Sequence, residues 1–377
     1  MKKIQMVDLK GQYQHIKNQV DQSILNVIES GAFINGPEVH AFQKDLEDYL
    51  AVKHVIPCAN GTDALQIAMM SLGLQPQDEV ITVDFTFAAT VEVIALLQLK
   101  PVLIDVDINT FNMNIEALEK AITPKTKAIV PVHLFGQCAN MDAVMEMAQK
   151  HNLYVIEDTA QAIGSDYIFA DGTTKKTGTI GHFGCTSFFP SKNLGCYGDG
   201  GAIFTNDDQL AQIARGVVNH GMYKRYYHDV VGVNSRLDSI QAAILRIKLP
   251  YLDQYNKARQ QAADFYDQEF AASNKIITPI RNSDKTTHVF HQYTLRIVNG
   301  GDRNGLHQFL LDHDIPNAIY YPVPLHSQKA YASDQYSEND FTVTNQLVQE
   351  VISLPMHTEL DRKQLSFITQ KVLEFLG

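Results

Sequence analysis

The stretch HVIPCANGTDALQIAMMSL, residues 54–72, decides the architecture. His54 to Cys58 form a short apolar run of strand character, Asn60 and Gly61 break it, and apolar side chains then recur at helical spacing through Leu72. A strand, a tight turn and a helix follow one another without a linker.

The same alternation extends outward. Apolar runs at 79–83, 101–106, 127–132 and 153–156 are separated by amphipathic segments such as 139–151, and further runs follow at 185–189 and 201–205. Near-continuous apolar strands spaced by helices predict an α/β fold with a mostly parallel, seven-stranded sheet covered on both faces. Leu237, Ile240, Ile244 and Ile247 then mark a helix that Pro250 ends. A polar-faced helix over 252–272 and a strand-like run at 292–298 predict a smaller α/β domain. The expected division is a large domain over 1–250 and a small C-terminal domain over 251–377.

Composition narrows the function. The 377 residues carry 31 Lys+Arg against 42 Asp+Glu, a net charge of −11, which argues against a nucleic-acid surface. Tyr223 to His228 mixes basic and aromatic residues, but one such run in an acidic chain reads as a loop near a pocket. Cys58, Cys138, Cys185 and Cys196 match no zinc spacing and are too few for a disulfide scaffold. Reduced thiols and no metal are expected. The start, MKKIQMVDLKGQ, lacks the apolar run of a signal peptide, and no stretch is long and apolar enough to span a membrane, so a cytoplasmic protein is expected.

In parallel α/β sheets, ligands sit beyond the carboxyl ends of the strands. Four such loops carry chemistry here. Asn60-Gly61-Thr62 turns tightly into a helix start, where backbone N–H groups and a hydroxyl can cradle phosphate; an empty helix cap is the plainer reading. Glu157-Asp158 ends the run at 153–156, followed by Gln161; an acid there can hold a metal, a ribose hydroxyl or a protonated ring nitrogen, or simply cap a helix. Ser187 to Lys192 puts a lysine after an apolar strand, and a lysine in apolar surroundings can add to a carbonyl. Phe87, in the loop after 79–83, can lie on a planar ring or in the core. Taken together, a phosphate cradle, an acid, an aromatic platform and a lysine at separate strand ends are what pyridoxal phosphate (PLP) requires.

On these residues the chain resembles the nucleotide-sugar aminotransferases of PLP fold type I, which are aspartate aminotransferase-like and of the DegT/DnrJ/EryC1/StrS type. The likeness runs from Val7-Asp8-Leu9 to Ser353-Leu354-Pro355-Met356-His357. It is most similar to the members that aminate C3 of a UDP-2-acetamido-3-keto-glucuronate in lipopolysaccharide biosynthesis. The stretches behind that are Cys58 to Gln66, Ser187 to Lys192, Gly195 to Asp208 and Val231 to Asp238.

The resemblance implies that Lys192 is the Schiff-base lysine and that Asp158 pairs with the ring nitrogen. It implies that Gln161 meets the ring hydroxyl, Phe87 stacks on the ring, and Gly61, Thr62 and Ser187 hold the phosphate. Asn234 is implied to reach the phosphate from a neighbouring subunit, hence a homodimer with shared sites. Arg236, Tyr320, Tyr321 and His326 are the implied sugar contacts, Arg236 suiting a carboxylate. The implied amino donor is glutamate, released as 2-oxoglutarate. One departure stands out: Tyr320 replaces a histidine of the His-Tyr pair that precedes Pro322-Val323-Pro324 in such relatives. It leaves open amination at C4 or of a neutral 6-deoxy sugar. A sugar dehydratase of this fold would carry histidine in place of Lys192, and a cysteine desulfurase would need a mobile cysteine loop. A non-catalytic nucleotide-sugar-binding protein would not need the whole set of Thr62, Asp158, Ser187 and Lys192.

Overall fold

The computed structural model describes residues 2–377. Two helices come first, α1 (Leu9–Ser30) and α2 (Pro37–Leu50), ahead of the strand–helix alternation. That alternation comprises β1 (His54–Cys58), α3 (Gly61–Ser71), β2 (Glu79–Val83), α4 (Ala89–Leu96) and β3 (Lys100–Ile104). It continues through α5 (Ile115–Ala121), β4 (Thr126–Val130), α6 (Met141–His151) and β5 (Tyr154–Asp158). A hairpin of β6 (Asp166–Ile168) and β7 (Thr174–Lys176) leads to β8 (Phe183–Ser187), β9 (Gly201–Thr205) and α7 (Asp208–Val217). A second hairpin, β10 (Met222–Lys224) and β11 (Tyr227–His228), precedes α8 (Ser239–Lys248) and α9 (Leu252–Phe270). The chain ends with β12 (Ile276–Ile277), β13 (Tyr293–Ile297), α10 (Arg303–Asp312), α11 (Thr342–Glu350), β14 (Val351–Leu354) and α12 (Arg362–Leu376).

The main sheet has seven strands in the order β1-β9-β8-β5-β4-β2-β3. Only β9 runs against the rest, pairing antiparallel with both β1 and β8. Pro57, which cannot donate to a ladder, sits on the edge strand β1, where one side needs no partner. Successive strand residues bury on opposite faces: Ile81, Ile129 and Val155 pack with α5 and α6, while Val80, Ala128, Val130 and Ile156 pack with α3, α4 and α7. Both faces are covered, as the apolar runs predict.

The expected strand ends shift by a residue or two. The run expected over 185–189 is paired only through Ser187, so Phe188 and Phe189 lie beyond the strand. The run expected over 101–106 is β3, Lys100–Ile104.

A separate core lies around the three-stranded antiparallel sheet β12-β13-β14, where Tyr266, Tyr293, Leu295, Leu306, Ile352 and Ile368 are buried together. Ile4 packs into it from the far end of the chain, while Leu347 and Val348 of α11 belong to the core of the main sheet. α9 bridges the two, with Leu252 in one cluster and Phe270 in the other. Among the described residues no helix is long and apolar enough to cross a membrane.

Candidate active site

The C-terminal ends of β1, β2, β5 and β8 open on one side of the sheet, and their loops carry most of the residues singled out from sequence. At the end of β1, the Asn60 side chain accepts the Asp63 N–H at 2.8 Å and so caps α3. A cap of this kind leaves the first N–H groups of the helix, those of Gly61 and Thr62, without helical acceptors. They sit against β8, and a Cβ on Gly61 would lie only 2.7 Å from the Cβ of Ser187. Only glycine allows that approach. Ser187 Oγ accepts the Phe189 N–H at 3.2 Å, so its own proton is free to be donated. Free helix N–H groups, a hydroxyl donor and the helix dipole make an anion cradle.

At the end of β5, Asp158 is 7% exposed and accepts from Thr90 Oγ1 at 2.8 Å and from the Ala160 N–H at 3.2 Å. Lone pairs remain for one more donor in the cleft. Gln161 is fixed by its partners: Oε1 accepts the Phe135 N–H at 2.8 Å, and Nε2 donates one proton to the Tyr321 hydroxyl at 3.2 Å, keeping a second N–H. A donor is therefore presented next to Asp158.

Lys192 follows β8 in a turn closed by its N–H to the Phe189 carbonyl at 2.8 Å. Next to it, Asn193 Nδ2 donates to Asn256 Oδ1 at 2.7 Å and to the Val289 carbonyl at 2.9 Å, anchoring the turn. Burial pulls the Lys192 ammonium from 10.5 down to about 8, against the opposing pull of Asp158. A fraction of the amine is thus neutral and nucleophilic near neutral pH. Phe87 is 57% exposed, its ring centroid 6.4 Å from that of Tyr321. A large apolar ring left exposed beside another aromatic ring suits a planar ligand.

The donor set fits PLP. An anion cradle, a buried carboxylate, an amide N–H, an exposed ring and a lysine of lowered pKa are in place at the ends of β1, β2, β5 and β8.

The remaining sequence candidates divide. Tyr321 joins the site through Gln161, and burial raises its hydroxyl pKa, keeping it neutral. Tyr320 is beside it, ring centroids 5.9 Å apart, and half-buried. Asn234 is exposed and Arg236 partly so, in the loop before α8; Ser235 Oγ between them accepts the Ala59 N–H at 3.0 Å and ties that loop to the end of β1. His326 is the correction. It is 8% exposed, with Nδ1 2.7 Å from Asp84 Oδ2, Nε2 3.4 Å from Glu338, and its ring stacked on Phe341 at 4.3 Å. Nδ1 and the backbone N–H are held by Asp84, so His326 anchors the segment carrying Tyr320 and Tyr321, and only Nε2 points toward the exposed Glu338.

Thr90, the partner of Asp158, was not singled out from the sequence; its only signal is a hydroxyl on the first turn of the helix after the Phe87 loop. The four cysteines are buried and free. Burial raises the thiols of Cys58 and Cys185, which makes them poor nucleophiles. His133, Cys138 and Glu157 cluster closely enough to suggest a metal, but the Glu157 carboxylate accepts the N–H groups of Gly178, Ile180 and Gly181 at 2.8, 2.7 and 2.6 Å. With His133 Nε2 at 3.0 Å as a fourth partner, the carboxylate's lone pairs are taken up within the chain.

Comparison with known proteins identifies relatives along nearly the whole chain. The DegT/DnrJ/EryC1/StrS aminotransferase family matches residues 14–373. The chain is 45% identical to the UDP-2-acetamido-2-deoxy-3-oxo-D-glucuronate aminotransferase of Pseudomonas aeruginosa, covering 97% of this chain and 98% of that one. It is 44% identical to a pleiotropic regulatory protein of Geobacillus stearothermophilus, covering 99% and 98% respectively. Among solved structures, an aminotransferase of this type from Brucella abortus superposes with a TM-score of 0.93 at 40% identity, covering 99% of this chain and 100% of that one. NtdA of Bacillus subtilis, solved with bound cofactor PMP, superposes with a TM-score of 0.87 at 29% identity, covering 95% and 81%.

Proposed function

This chain belongs to the DegT/DnrJ/EryC1/StrS aminotransferase family and uses pyridoxal phosphate, and from that premise we propose that it aminates C3 of a UDP-linked 3-keto sugar at the expense of glutamate. The observation that carries the reading is the convergence of Asp158, Gln161, Ser187 and a depressed Lys192 beside the capped start of α3. When bound, the cofactor supplies an aldehyde for amino exchange and a ring that takes up negative charge from the adjacent carbon.

The protein's own groups do the rest. Gly61, Thr62 and Ser187 hold the phosphate, and Phe87 covers the ring. Asp158, held by Thr90, keeps a negative charge at the ring nitrogen and so keeps that nitrogen protonated. Gln161 donates its amide proton to the ring hydroxyl. Lys192, with its pKa near 8, takes the proton from the α-carbon of glutamate and later returns one to C3 of the sugar.

For the sugar, Arg236 is the cation that suits a C6 carboxylate, and the similarity to the Pseudomonas enzyme supports a uronate. A neutral keto-sugar is the second reading, favoured by one observation: the position next to Tyr321 holds Tyr320, an uncharged phenol whose pKa burial raises. The product would then enter lipopolysaccharide or other surface-polysaccharide synthesis in the cytoplasm.

A homodimer belongs to the same proposal. Leu25, Ile28, Phe33 and Ile34 are 52%, 50%, 46% and 48% exposed, and Val231 is 84% exposed. The bridge between Ile34 and Asp238 joins that apolar surface to the loop of Asn234. Covering it with a second copy would bury apolar area and bring Asn234 to the neighbouring cradle. Residues 1–250 act as the cofactor-binding unit in this reading and 251–377 as the smaller unit.

The test is the visible absorption spectrum of the purified protein. We expect a band with PLP that bleaches on adding glutamate and returns with a 3-keto UDP-sugar. Lys192→Ala should remove both the bleaching and turnover, and turnover surviving that substitution overturns the assignment.

A further inference from the structure

A buried network next to the site centres on His133, which no step above uses. His133 is wholly buried at the end of β4. Its backbone is locked to the site strand: the His133 N–H donates to the Asp158 carbonyl at 3.0 Å, and the Asp158 N–H donates to the Pro131 carbonyl at 2.9 Å. Its ring closes the turn that follows, because Nδ1 lies 3.0 Å from the Ala139 nitrogen. A backbone N–H can only donate, so Nδ1 must present a lone pair. Burial disfavours a second proton on the ring, while Cys138 and Glu157 together pull its pKa upward; the Ala139 N–H, which needs an acceptor at Nδ1, overrides that pull and fixes the neutral form. Nε2 therefore carries the proton and donates to Glu157 Oε2 at 3.0 Å.

Inside the turn that this ring closes, Phe135 adopts φ +57°, a left-handed conformation rare for a bulky side chain. Such a residue persists only where its surroundings fix it. Several contacts do so. The Leu134 N–H donates to Asn112 Oδ1 at 3.2 Å, and the Gly136 carbonyl accepts the Val289 N–H at 2.9 Å. A Cβ on Gly136 would fall 2.9 Å from the Phe290 nitrogen, so the opposing turn packs directly on it. The consequence of the left-handed twist is that the Phe135 N–H points at Gln161 Oε1, 2.8 Å away. That contact orients the Gln161 amide with its nitrogen toward the cleft.

We propose that His133 is a positioning residue for the cofactor site, acting through its Nδ1 bond to Ala139 to hold the Phe135 turn and thereby the orientation of the Gln161 amide. This rests on the reading that Gln161 donates to the cofactor's ring hydroxyl. The two ring nitrogens have separate tasks: Nε2 ties the turn to Glu157 beside Asp158, and Nδ1 sets the turn's shape. Without the Nδ1 acceptor the Ala139 N–H is buried and unpaired, the turn relaxes, and the Gln161 amide is free to rotate and present oxygen where a donor is needed.

Three substitutions separate these tasks. His133→Asn places an amide oxygen near the Nδ1 position and keeps the Ala139 acceptor. His133→Gln reaches Glu157 but leaves Ala139 unpaired, and His133→Phe removes both bonds. The first readout is hydrogen exchange of the cofactor-free protein. Exchange at Phe135 and Ala139 should quicken at least tenfold in His133→Gln and His133→Phe and stay near wild type in His133→Asn. The core strand amides of Val155 and Ile156 serve as the control for general loosening. The second readout is the pH titration of the visible band of the PLP-loaded protein, whose midpoint should rise in the same order.

Unchanged exchange at Phe135 in His133→Phe overturns the proposal. So does equal acceleration in all three variants, or acceleration that extends to Val155 and Ile156, since each marks a merely structural histidine. If wild type forms no visible band, the reading of Gln161 fails instead, and the exchange pattern still decides whether His133 sets the turn.

Discussion

Replacing Lys192 by methionine should stabilise the cofactor-free protein while abolishing its activity, and the size of the gain should depend on pH in a set direction. The ammonium pKa is lowered from 10.5 to about 8 by burial, and Asp158 only partly restores it. At ~1.4 kcal/mol per pKa unit, holding this amine charged in the fold costs ~3 kcal/mol, net of the attraction to Asp158. Below pH 8 that cost is present in full. Between about pH 8 and 10.5 the folded lysine is already neutral while the unfolded one still binds a proton, so wild-type stability rises with pH through this window. Methionine has a similar length and no charge, so Lys192→Met should gain ~3 kcal/mol at pH 7, and the gain should fade toward zero near pH 10.5. Urea midpoints of the two PLP-free proteins, taken at equal protein concentration at pH 7 and again at pH 10, measure it. A gain that is absent at pH 7, or equal at both pH values, would refute the claim that the amine is desolvated and hence the physical basis of its nucleophilicity.

Two further outcomes follow from single contacts. Thr90→Val keeps the shape of the side chain but removes the 2.8 Å bond to Asp158, a hydrogen bond to a charged group worth ~1.5–3 kcal/mol. Glutamate-driven bleaching in single-turnover mode should slow by ~10- to 100-fold, and an unchanged rate would mean that Thr90 does not support the acid. Gly61→Ala sets a methyl 2.7 Å from the Ser187 Cβ, where ordinary carbon contacts are ~3.5–4 Å, so the start of α3 must withdraw. Equilibrium dialysis should show PLP held at least ~10-fold more weakly by a protein that still folds, and unaltered affinity would dismiss the cradle.

The alternation of short apolar runs with helical periods was legible because both are local: side chains one or three to four residues apart report their own backbone conformation. That pattern alone gave β1, β2 and β9 with their observed bounds, helices between the strands, and the strand ends near which Gly61, Phe87, Asp158, Ser187 and Lys192 lie. The residue types there, rather than any contact, pointed to the cofactor. What local pattern does not encode is which loop meets which. Strand order and the single antiparallel strand β9 arise from pairings the local pattern does not specify, one of them joining residues more than a hundred positions apart, Cys58 with Gly201. The fate of two neighbouring aromatic residues shows the difference. Tyr321 and His326 stand five residues apart in the same segment, with equal claim to a sugar; the fold sends Tyr321 to Gln161 and buries His326 between Asp84 and Phe341. Likewise nothing local to His133 announces that its ring closes a turn on Ala139, or that Thr90 will reach Asp158 across the cleft. The sequence determined the elements and the chemistry they carry; the tertiary structure decided which of those groups are free to act, because a polar side chain's role depends on whether the fold has already spent its lone pairs and protons.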